Sequence, residues 1–321
     1  MRSRWIAVSF VVFLCWLGFS AYWAVHAQGT KQDSAPDADA KSRLSAATEA
    51  VPKFARGVKC GTLPTDELDE VSGIAASRKN PGVLWVHNDS GDSARVFAIT
   101  PEGKLLGVYS LSGVEARDWE DIAVGPGPKP GESWLYIGDI GDNNAVRPMV
   151  FIYRVAEPTV STAQEAVRAE LADVEKITLK YEDGPRDAEV VMVDPQKGDL
   201  YIISKRTDRC KVYRVPSWEL KAGATVTMRC VAQLPWGWAT GGDISPDGSE
   251  ILVRGYTNAG LWKRPQSGEL WNAFEGKQYI VPLEKEQQGE AICFDAQGKG
   301  YYTTSEGKRS PIYYYDRLSD R

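Results

Sequence analysis

The sequence predicts an all-β protein that folds as a single β-propeller of five four-stranded blades, with six blades as the alternative. The 321 residues include 11 Trp and 14 Tyr, and large aromatic side chains favour strands. From Lys59 onward, short apolar segments alternate with turn sequences that are rich in Gly, Pro and Asp. These segments recur as one unit, and a recurring multi-strand unit is typical of a propeller.

The first strand of each unit follows an acidic or polar lead. The five first-strand segments are EVSGIAAS from Glu70, DWEDIAVG from Asp118, DAEVVMVD from Asp187, TGGDISPD from Thr240 and QGEAICFD from Gln288. A turn and a second strand follow each of them, as in LWVHND and WLYIGDI, and then a third strand such as VFIYRV. We therefore expect each unit to form one antiparallel blade.

The fifth unit lacks a fourth strand because the sequence given ends at Arg321. We predict that the segment GVKCGTL (57–63) supplies the missing strand and closes the ring, which removes an exposed sheet edge. The segment between the third and fourth strands of the second unit (157–175) has a spacing that predicts a short surface helix.

The first 56 residues are predicted to form a signal peptide or membrane anchor followed by a flexible linker. Arg2 and Arg4 precede an apolar run that ends at Val25-His26-Ala27, so residues 1–27 are predicted to be a signal peptide or an N-terminal membrane anchor. Residues 28–56 are rich in Ala, Ser, Asp and Pro and predict a flexible linker, followed by the propeller at 57–321. We expect an exported protein, periplasmic or extracellular, that is a monomer and touches a membrane only through an uncleaved leader.

Charge and residue counts exclude some classes of function. The formal net charge of −5 argues against nucleic-acid binding. Two histidines cannot form a multi-histidine zinc site. Four cysteines follow the leader, an even number that suits an exported chain. We predict a disulfide between Cys210 and Cys230, which flank one predicted hairpin, and leave the pairing of Cys60 and Cys293 open.

Acidic residues gather at the starts of the predicted first strands and at the ends of the second strands. In an up-and-down blade these two positions lie on the same face. We predict that this face binds Ca²⁺, which prefers carboxylate and amide oxygens. The predicted metal ligands are Glu70, Asp89, Asp139, Asp142, Asn143, Glu189 and Glu290.

A bound cation would activate water or hold an anionic substrate. We predict Glu120, Asp121 and His87 as catalytic residues, with a hydrogen-bonded strand end as the alternative for His87. For each acid the alternative is a loop cap, because Asp and Asn accept backbone N–H bonds in turns. The residues predicted to bind the substrate are Lys205, Arg206, Arg254 and Asn258.

The motifs EVSGIA, DWEDIA, LWVHNDSGD and GEAICFD resemble those of exported propellers grouped as SdiA-regulated and phytase-like, or esterase-like, proteins. The resemblance covers most of residues 65–310. It implies a propeller, an exported location and a calcium site, and in the related phytases the cations hold a phosphate substrate. The Asp-Asp-Pro calcium run of those phytases has no clear match here.

Two functions follow from these patterns. The first is a calcium-assisted hydrolase of small anionic phosphate or ester substrates. The second is a non-catalytic propeller that binds a ligand or a protein partner at the cell envelope.

Overall fold

The computed structural model describes residues 51–319. The predicted signal peptide or anchor (1–27) and most of the predicted linker (28–56) lie outside the described residues. Within them, no helix is long and apolar enough to cross a membrane. The paired chain begins earlier than expected, because Ala55 donates its N–H to Asp316 and Leu318 donates to Lys53.

Strands dominate the described chain, with two short 3-10 helices at Ser217–Glu219 and Leu270–Glu275. The strands up to the second blade are β1 (Val58–Thr62), β2 (Val71–Ala76), β3 (Leu84–Asn88), β4 (Arg95–Ile99), β5 (Leu105–Leu111), β6 (Trp119–Pro126), β7 (Ser133–Asp139), β8 (Val150–Ala156), β9 (Val167–Leu171) and β10 (Glu175–Tyr181). The remaining strands are β11 (Ala188–Val193), β12 (Leu200–Ser204), β13 (Lys211–Val215), β14 (Thr225–Gln233), β15 (Gly241–Ile244), β16 (Glu250–Arg254), β17 (Ala259–Lys263), β18 (Tyr279–Val281), β19 (Gly289–Phe294), β20 (Gly300–Ser305) and β21 (Pro311–Asp316).

The strand order confirms an all-β propeller. The antiparallel pairings group the strands into β2–β5, then β6, β7, β8 and β10, then β11–β14, then β15–β18, and last β19–β21 with β1. We call these groups blades one to five. β1 pairs antiparallel with β21, so the predicted closure by an N-terminal strand is confirmed.

The surface helix predicted over 157–175 is wrong. Val167–Leu171 forms strand β9, which pairs parallel with β5 at the outer edge of blade one. The edge of β5 offers unpaired backbone groups, and pairing with them outweighs the weak helical preference of this segment. A second parallel pairing, β10 with β14, joins blades two and three into one eight-stranded sheet.

The hydrophobic core is divided among the blade interfaces. Five apolar clusters each draw their side chains from two neighbouring blades, and together they complete the ring. Trp85 and Trp119 are fully buried between blades one and two, and Trp262 is buried in the cluster that blades three and four share. Burying a large apolar side chain contributes about 1.5–3 kcal/mol, so these interfaces hold the blades against one another.

The predicted disulfide between Cys210 and Cys230 is not formed, and all four described cysteines are free. Cys230 lies opposite Tyr213 in the pairing of β13 with β14, while Cys210 exchanges backbone hydrogen bonds near Leu234. The two thiols are therefore three positions apart along the ladder, roughly 10 Å, which exceeds the reach of a disulfide.

Candidate functional site

The innermost strand of four blades begins with a β-bulge. The pairing register skips one residue in each of these strands. The extra residue is Ser72 in β2, Glu120 in β6, Glu189 in β11 and Glu290 in β19. A bulge turns a side chain away from the regular alternation. All four of these residues are buried, so three carboxyl groups lie inside one end of the propeller.

The ends of the second strands reach the same place. In three blades, the residue that follows the second strand donates its backbone N–H to the carbonyl of a residue just before the first strand. These bonds are Asp89 to Glu70 at 2.7 Å, Lys205 to Asp187 at 2.9 Å and Glu306 to Gln288 at 3.1 Å. This repeated bond places the side chains of Asp89, Lys205 and Glu306 beside the bulge glutamates. We call the resulting group the acidic mouth; it consists of Asp89, Asp118, Glu120, Asp187, Glu189, Glu290 and Glu306, with Lys205 among them.

One half of the acidic mouth already has a cation. Lys205 Nζ lies 2.8 Å from Glu189 Oε1 and 3.7 Å from Glu290 Oε1, and it donates to the Tyr256 hydroxyl at 2.9 Å. Tyr256 in turn donates to Glu290 at 3.0 Å. The neighbouring carboxylates raise the pKa of Lys205 above its usual value although burial opposes them, so the ammonium stays charged.

The other half has no basic partner. One oxygen from each of Asp89, Asp118 and Glu120 lies within 4.8 Å of the others, and none of the three carboxylates forms an ion pair in the described part of the chain. A second group of this kind joins Glu120 to Asp187 and Glu189. There, however, Asp187 is held by Arg206 at 2.6 Å and Glu189 by Lys205. The cluster of Asp89, Asp118 and Glu120 is therefore the better place for a metal ion.

Gly141 makes room for this cluster. A Cβ atom at position 141 would lie 2.0 Å from Glu120 Oε1 and 2.5 Å from Asp118 Oδ2. The peptide N–H groups of Ile140 and Gly141 also bind the Asp118 carbonyl, at 3.1 and 3.2 Å. Only glycine lets the backbone come this close to two carboxylates.

Burial and crowding raise the pKa values of the carboxyl groups at the mouth. Burial raises the pKa of Asp89 to about 7, and the charge of Asp118 adds to the effect. The pKa of Glu120 is raised well above its usual range by burial and by Glu189. The pKa of Glu306 rises to about 9 because the group is partly buried against Glu290 and Glu70. Buried acids of like charge need protons or a cation, and this arrangement suits either.

Two residues predicted to be catalytic have structural partners instead. Asp121 is fully buried, and its two oxygens accept the N–H groups of Ile122 at 2.9 Å and Val191 at 3.0 Å, which ties β6 to β11. His87 is also fully buried, with Nδ1 2.7 Å from the Asn88 carbonyl, and burial lowers its pKa to about 4. Neither side chain reaches the surface, so the structure favours the strand-end alternative for His87.

The run GDIGDNN (138–144) contains three of the predicted metal ligands, Asp139, Asp142 and Asn143. Arg147 Nη2 lies 2.6 Å from Asp139 Oδ1, and both side chains are buried. Asp142 accepts the Arg147 N–H at 2.7 Å, while Asn143 accepts a hydrogen bond from Arg206. In this structure these oxygens accept hydrogen bonds from arginine and backbone donors, and the ligand roles of the three residues stay predictions.

The residues predicted to bind substrate fall into different environments. Arg254 is fully enclosed and pairs with the equally buried Glu286 at 2.8 Å, an environment that favours a structural role. Lys205 is buried in the mouth, and Arg206 at its rim is 39% exposed. Asn258 is half-buried in the β16–β17 turn, where its carbonyl accepts the Gly255 N–H at 2.8 Å.

The remaining predicted ligands lie at the mouth or its edge. Asp89, Glu189 and Glu290 are in it, whereas Glu70 is exposed beside Glu306. The sequence prediction missed Asp118, Asp187, Glu306 and Tyr256 as members of the site. A signal for two of them exists, because Asp-x-Glu recurs at 118–120 and 187–189 in equivalent positions of the repeat.

No known protein family and no curated protein matches the sequence. Among solved structures, the chain is similar to one described as the Dos1 propeller, with 8% sequence identity and a TM-score of 0.38, over 82% of this chain and 95% of that one. What the site contributes beyond the propeller fold is a buried acidic group with the geometry to hold a metal ion.

Proposed function

We propose that this protein is an exported, Ca²⁺-binding propeller of the SdiA-regulated and phytase-like type that hydrolyses small phosphate or ester substrates at the acidic mouth. The observation that carries the proposal is the cluster of Asp89, Asp118 and Glu120, which has no basic partner although Glu120 is almost completely buried. Asp89 and Asp118 are half-buried beside the buried Glu120, and a bound cation would offset the repulsion among these three carboxylates.

The donor set supports Ca²⁺ as the cation. The cluster offers only carboxylate oxygens, with neither imidazole nor thiolate among its members. Ca²⁺ takes six to eight oxygens in adaptable geometry, so three carboxylates with water can complete its coordination. Softer metals prefer nitrogen and sulfur ligands, which this cluster lacks.

The mouth also contains groups suited to hydrolysis. Bound Ca²⁺ would polarise the substrate and lower the pKa of a water ligand. Arg206 keeps 39% of its side chain exposed at the rim, where it can meet an anionic group.

A metal-content measurement and a thermal shift test the cation site. We expect wild type to retain Ca²⁺ after gel filtration and to lose stability in EDTA, by roughly 5–10 °C if Ca²⁺ is present at about 100 times its Kd. Asp118→Asn combined with Glu120→Gln should abolish both effects. Asp66→Asn, a matched change at an exposed carboxylate on the protein surface, should leave them intact. Absence of bound Ca²⁺ from wild type, with no effect of EDTA, would sink the proposal.

Turnover of 4-nitrophenyl phosphate and 4-nitrophenyl acetate tests the reaction. We expect Ca²⁺-dependent hydrolysis of at least one of them, which is lost in the Asp118→Asn/Glu120→Gln variant. Ca²⁺ binding without hydrolysis of either compound would contradict the hydrolase.

The second candidate is a propeller that binds a partner at the cell envelope. Trp238 favours it, because this side chain is 52% exposed and lies with its ring 5.8 Å from the Arg206 guanidinium. Exposed aromatic and arginine side chains are common anchors of binding surfaces. Retention of an envelope ligand that depends on Trp238, in a protein without hydrolase activity, would establish this function instead.

A further inference from the structure

A cavity of about 840 Å³ opens between blades one and two, beside the acidic mouth. Its walls come from the loop after β5, from β8 and from the start of β10, and they include Arg117, Phe151, Tyr153 and Lys176. The volume lies within the range of small-molecule sites, about 300–1,000 Å³.

The cavity combines an aromatic wall with a cationic group. The rings of Phe151 and Tyr153 lie 6.3 Å apart, and Lys176 Nζ is 3.6 Å from the centroid of the Phe151 ring. An ammonium held against an aromatic face remains available to an anion on its open side. Burial raises the pKa of Tyr153 to about 12, so its hydroxyl stays protonated and can donate a hydrogen bond.

The balance of charge in the cavity is positive. Arg117 and Lys176 are exposed, and neither forms an ion pair in the described chain. Asp139 also lines the cavity, but Arg147 neutralises it at 2.6 Å. Glu115 is the remaining charged lining residue, so two free cations face one free carboxylate.

The cavity adjoins the proposed cation site through two chain segments. Gly91, which lines the cavity, follows Asp89 by two residues, and Arg117 directly precedes Asp118. We propose that the cavity binds a small organic phosphate with an aromatic group, the phosphate held by Arg117 and Lys176 and the ring packed against Phe151. The interpretation of the cavity as the substrate pocket rests on the proposed hydrolase function. The binding of an organic phosphate there depends only on the residues that line the cavity.

Calorimetric titration with phenyl phosphate in EDTA tests the pocket without turnover and without the cation. Inorganic phosphate and phenol each present one half of the ligand, and we expect both to bind wild type more weakly than phenyl phosphate. Arg117→Gln and Lys176→Gln should each weaken phenyl phosphate by about tenfold, as expected for a lost charge-assisted hydrogen bond. Phe151→Ala should weaken phenyl phosphate by a larger factor than inorganic phosphate, because it removes the ring contact as well as the support of Lys176.

Two control variants remove the same charges elsewhere. Lys180 lies on β10 and Arg229 on β14, both are exposed, and neither lines the cavity. Lys180→Gln and Arg229→Gln should bind phenyl phosphate as wild type does. Equal binding of phenyl phosphate by all variants, or no binding by wild type, would contradict the proposal that the cavity binds an aromatic phosphate. Because the titration contains EDTA, failure of the Ca²⁺ site leaves its result unaffected, and the two proposals fail separately.

Discussion

Lys205 places its ammonium nitrogen 2.8 Å from Glu189 Oε1, inside a ring of carboxyl groups that comes from four blades. The lysine divides the acidic mouth into a half with an internal cation and a half without one. This division locates the proposed metal site and leads to the first prediction.

Lys205→Met should destabilise the protein in EDTA and make it more dependent on Ca²⁺. At pH 9, where Glu189 with its pKa of about 8 is ionised, removing one partner of this buried ion pair costs about 3–5 kcal/mol, because the remaining charge is left uncompensated. Added Ca²⁺ should recover part of that loss, since Glu189 and Glu290 then lack a competing ammonium. Urea unfolding with and without Ca²⁺ measures both effects. Lys211→Met is the control, because Lys211 and Asp183 are each 30% exposed and such pairs contribute about 1 kcal/mol or less. Equal stability of Lys205→Met and wild type in EDTA would contradict this reading.

Gly141→Ala should weaken Ca²⁺ binding by about tenfold to a hundredfold, the usual effect of disturbing the surroundings of metal ligands. The added Cβ would lie 2.0 Å from Glu120 Oε1, so Glu120 must move. Calorimetric titration with Ca²⁺ measures the change. Gly276→Ala serves as the control, because its Cβ has one neighbour, at 3.1 Å, and its φ is −83°. An unchanged Kd in Gly141→Ala would place the cation elsewhere.

Arg254→Ala should cost about 3–5 kcal/mol of unfolding free energy, because Glu286 would be left charged and fully buried. The double variant Arg254→Met/Glu286→Leu should recover much of the loss, since apolar side chains of similar size replace the pair. Denaturant unfolding of Arg254→Met, Glu286→Leu and the double variant gives the coupling energy. Arg309→Ala, which removes a pair that is more than half exposed, should change stability by about 0.5 kcal/mol or less. Additive losses at Arg254 and Glu286 would show that the two residues do not act as a pair.

The cation-free protein should lose stability as the pH rises from about 7 to about 8.5. Folding raises the pKa of Asp89 from 3.8 to about 7, of Glu189 from 4.5 to about 8 and of Glu306 from 4.5 to about 9. The folded state therefore holds protons that the unfolded state has already released, and this stabilisation disappears as the pH passes through the folded pKa values. His87, with a pKa lowered to about 4, is neutral in the folded protein throughout this range.

Urea midpoints in EDTA at several pH values measure this dependence. Ca²⁺ should reduce it, because a bound cation lets the carboxylates stay ionised. Stability that rises with pH in EDTA would contradict the raised pKa values.

Much of the propeller was predictable because it depends on local patterns. Alternating apolar residues and turn sequences identify strands, and their repetition identifies blades. The closing strand β1 followed from counting, since the last unit lacked a partner for β21. Strand β9 was not predictable in this way, because its residues have little strand preference and pair only where the edge of β5 is available.

The sequence predicted the face on which the acidic residues gather. It did not predict which of these residues enter the acidic mouth and which accept structural hydrogen bonds. Glu120 and Asp121 are adjacent in the sequence and look alike as candidates. A bulge turns Glu120 into the mouth, while Asp121 points into the next blade and binds the Val191 N–H. Arg147 pairs with Asp139, and Glu286 pairs with Arg254. Both partners come from loops, and sequence spacing does not predict where a loop residue will lie.

The sequence by itself determined the class of fold, the repeating unit and the end of the propeller where acids gather, because strand period and turn chemistry are local. Only the tertiary structure decided which carboxylates have a basic partner and which do not. Charge pairing depends on distances of a few ångströms between side chains. Lys205 meets Glu290 only when the blades close into a ring, and Arg147 reaches Asp139 only when the loop after β7 folds back on it.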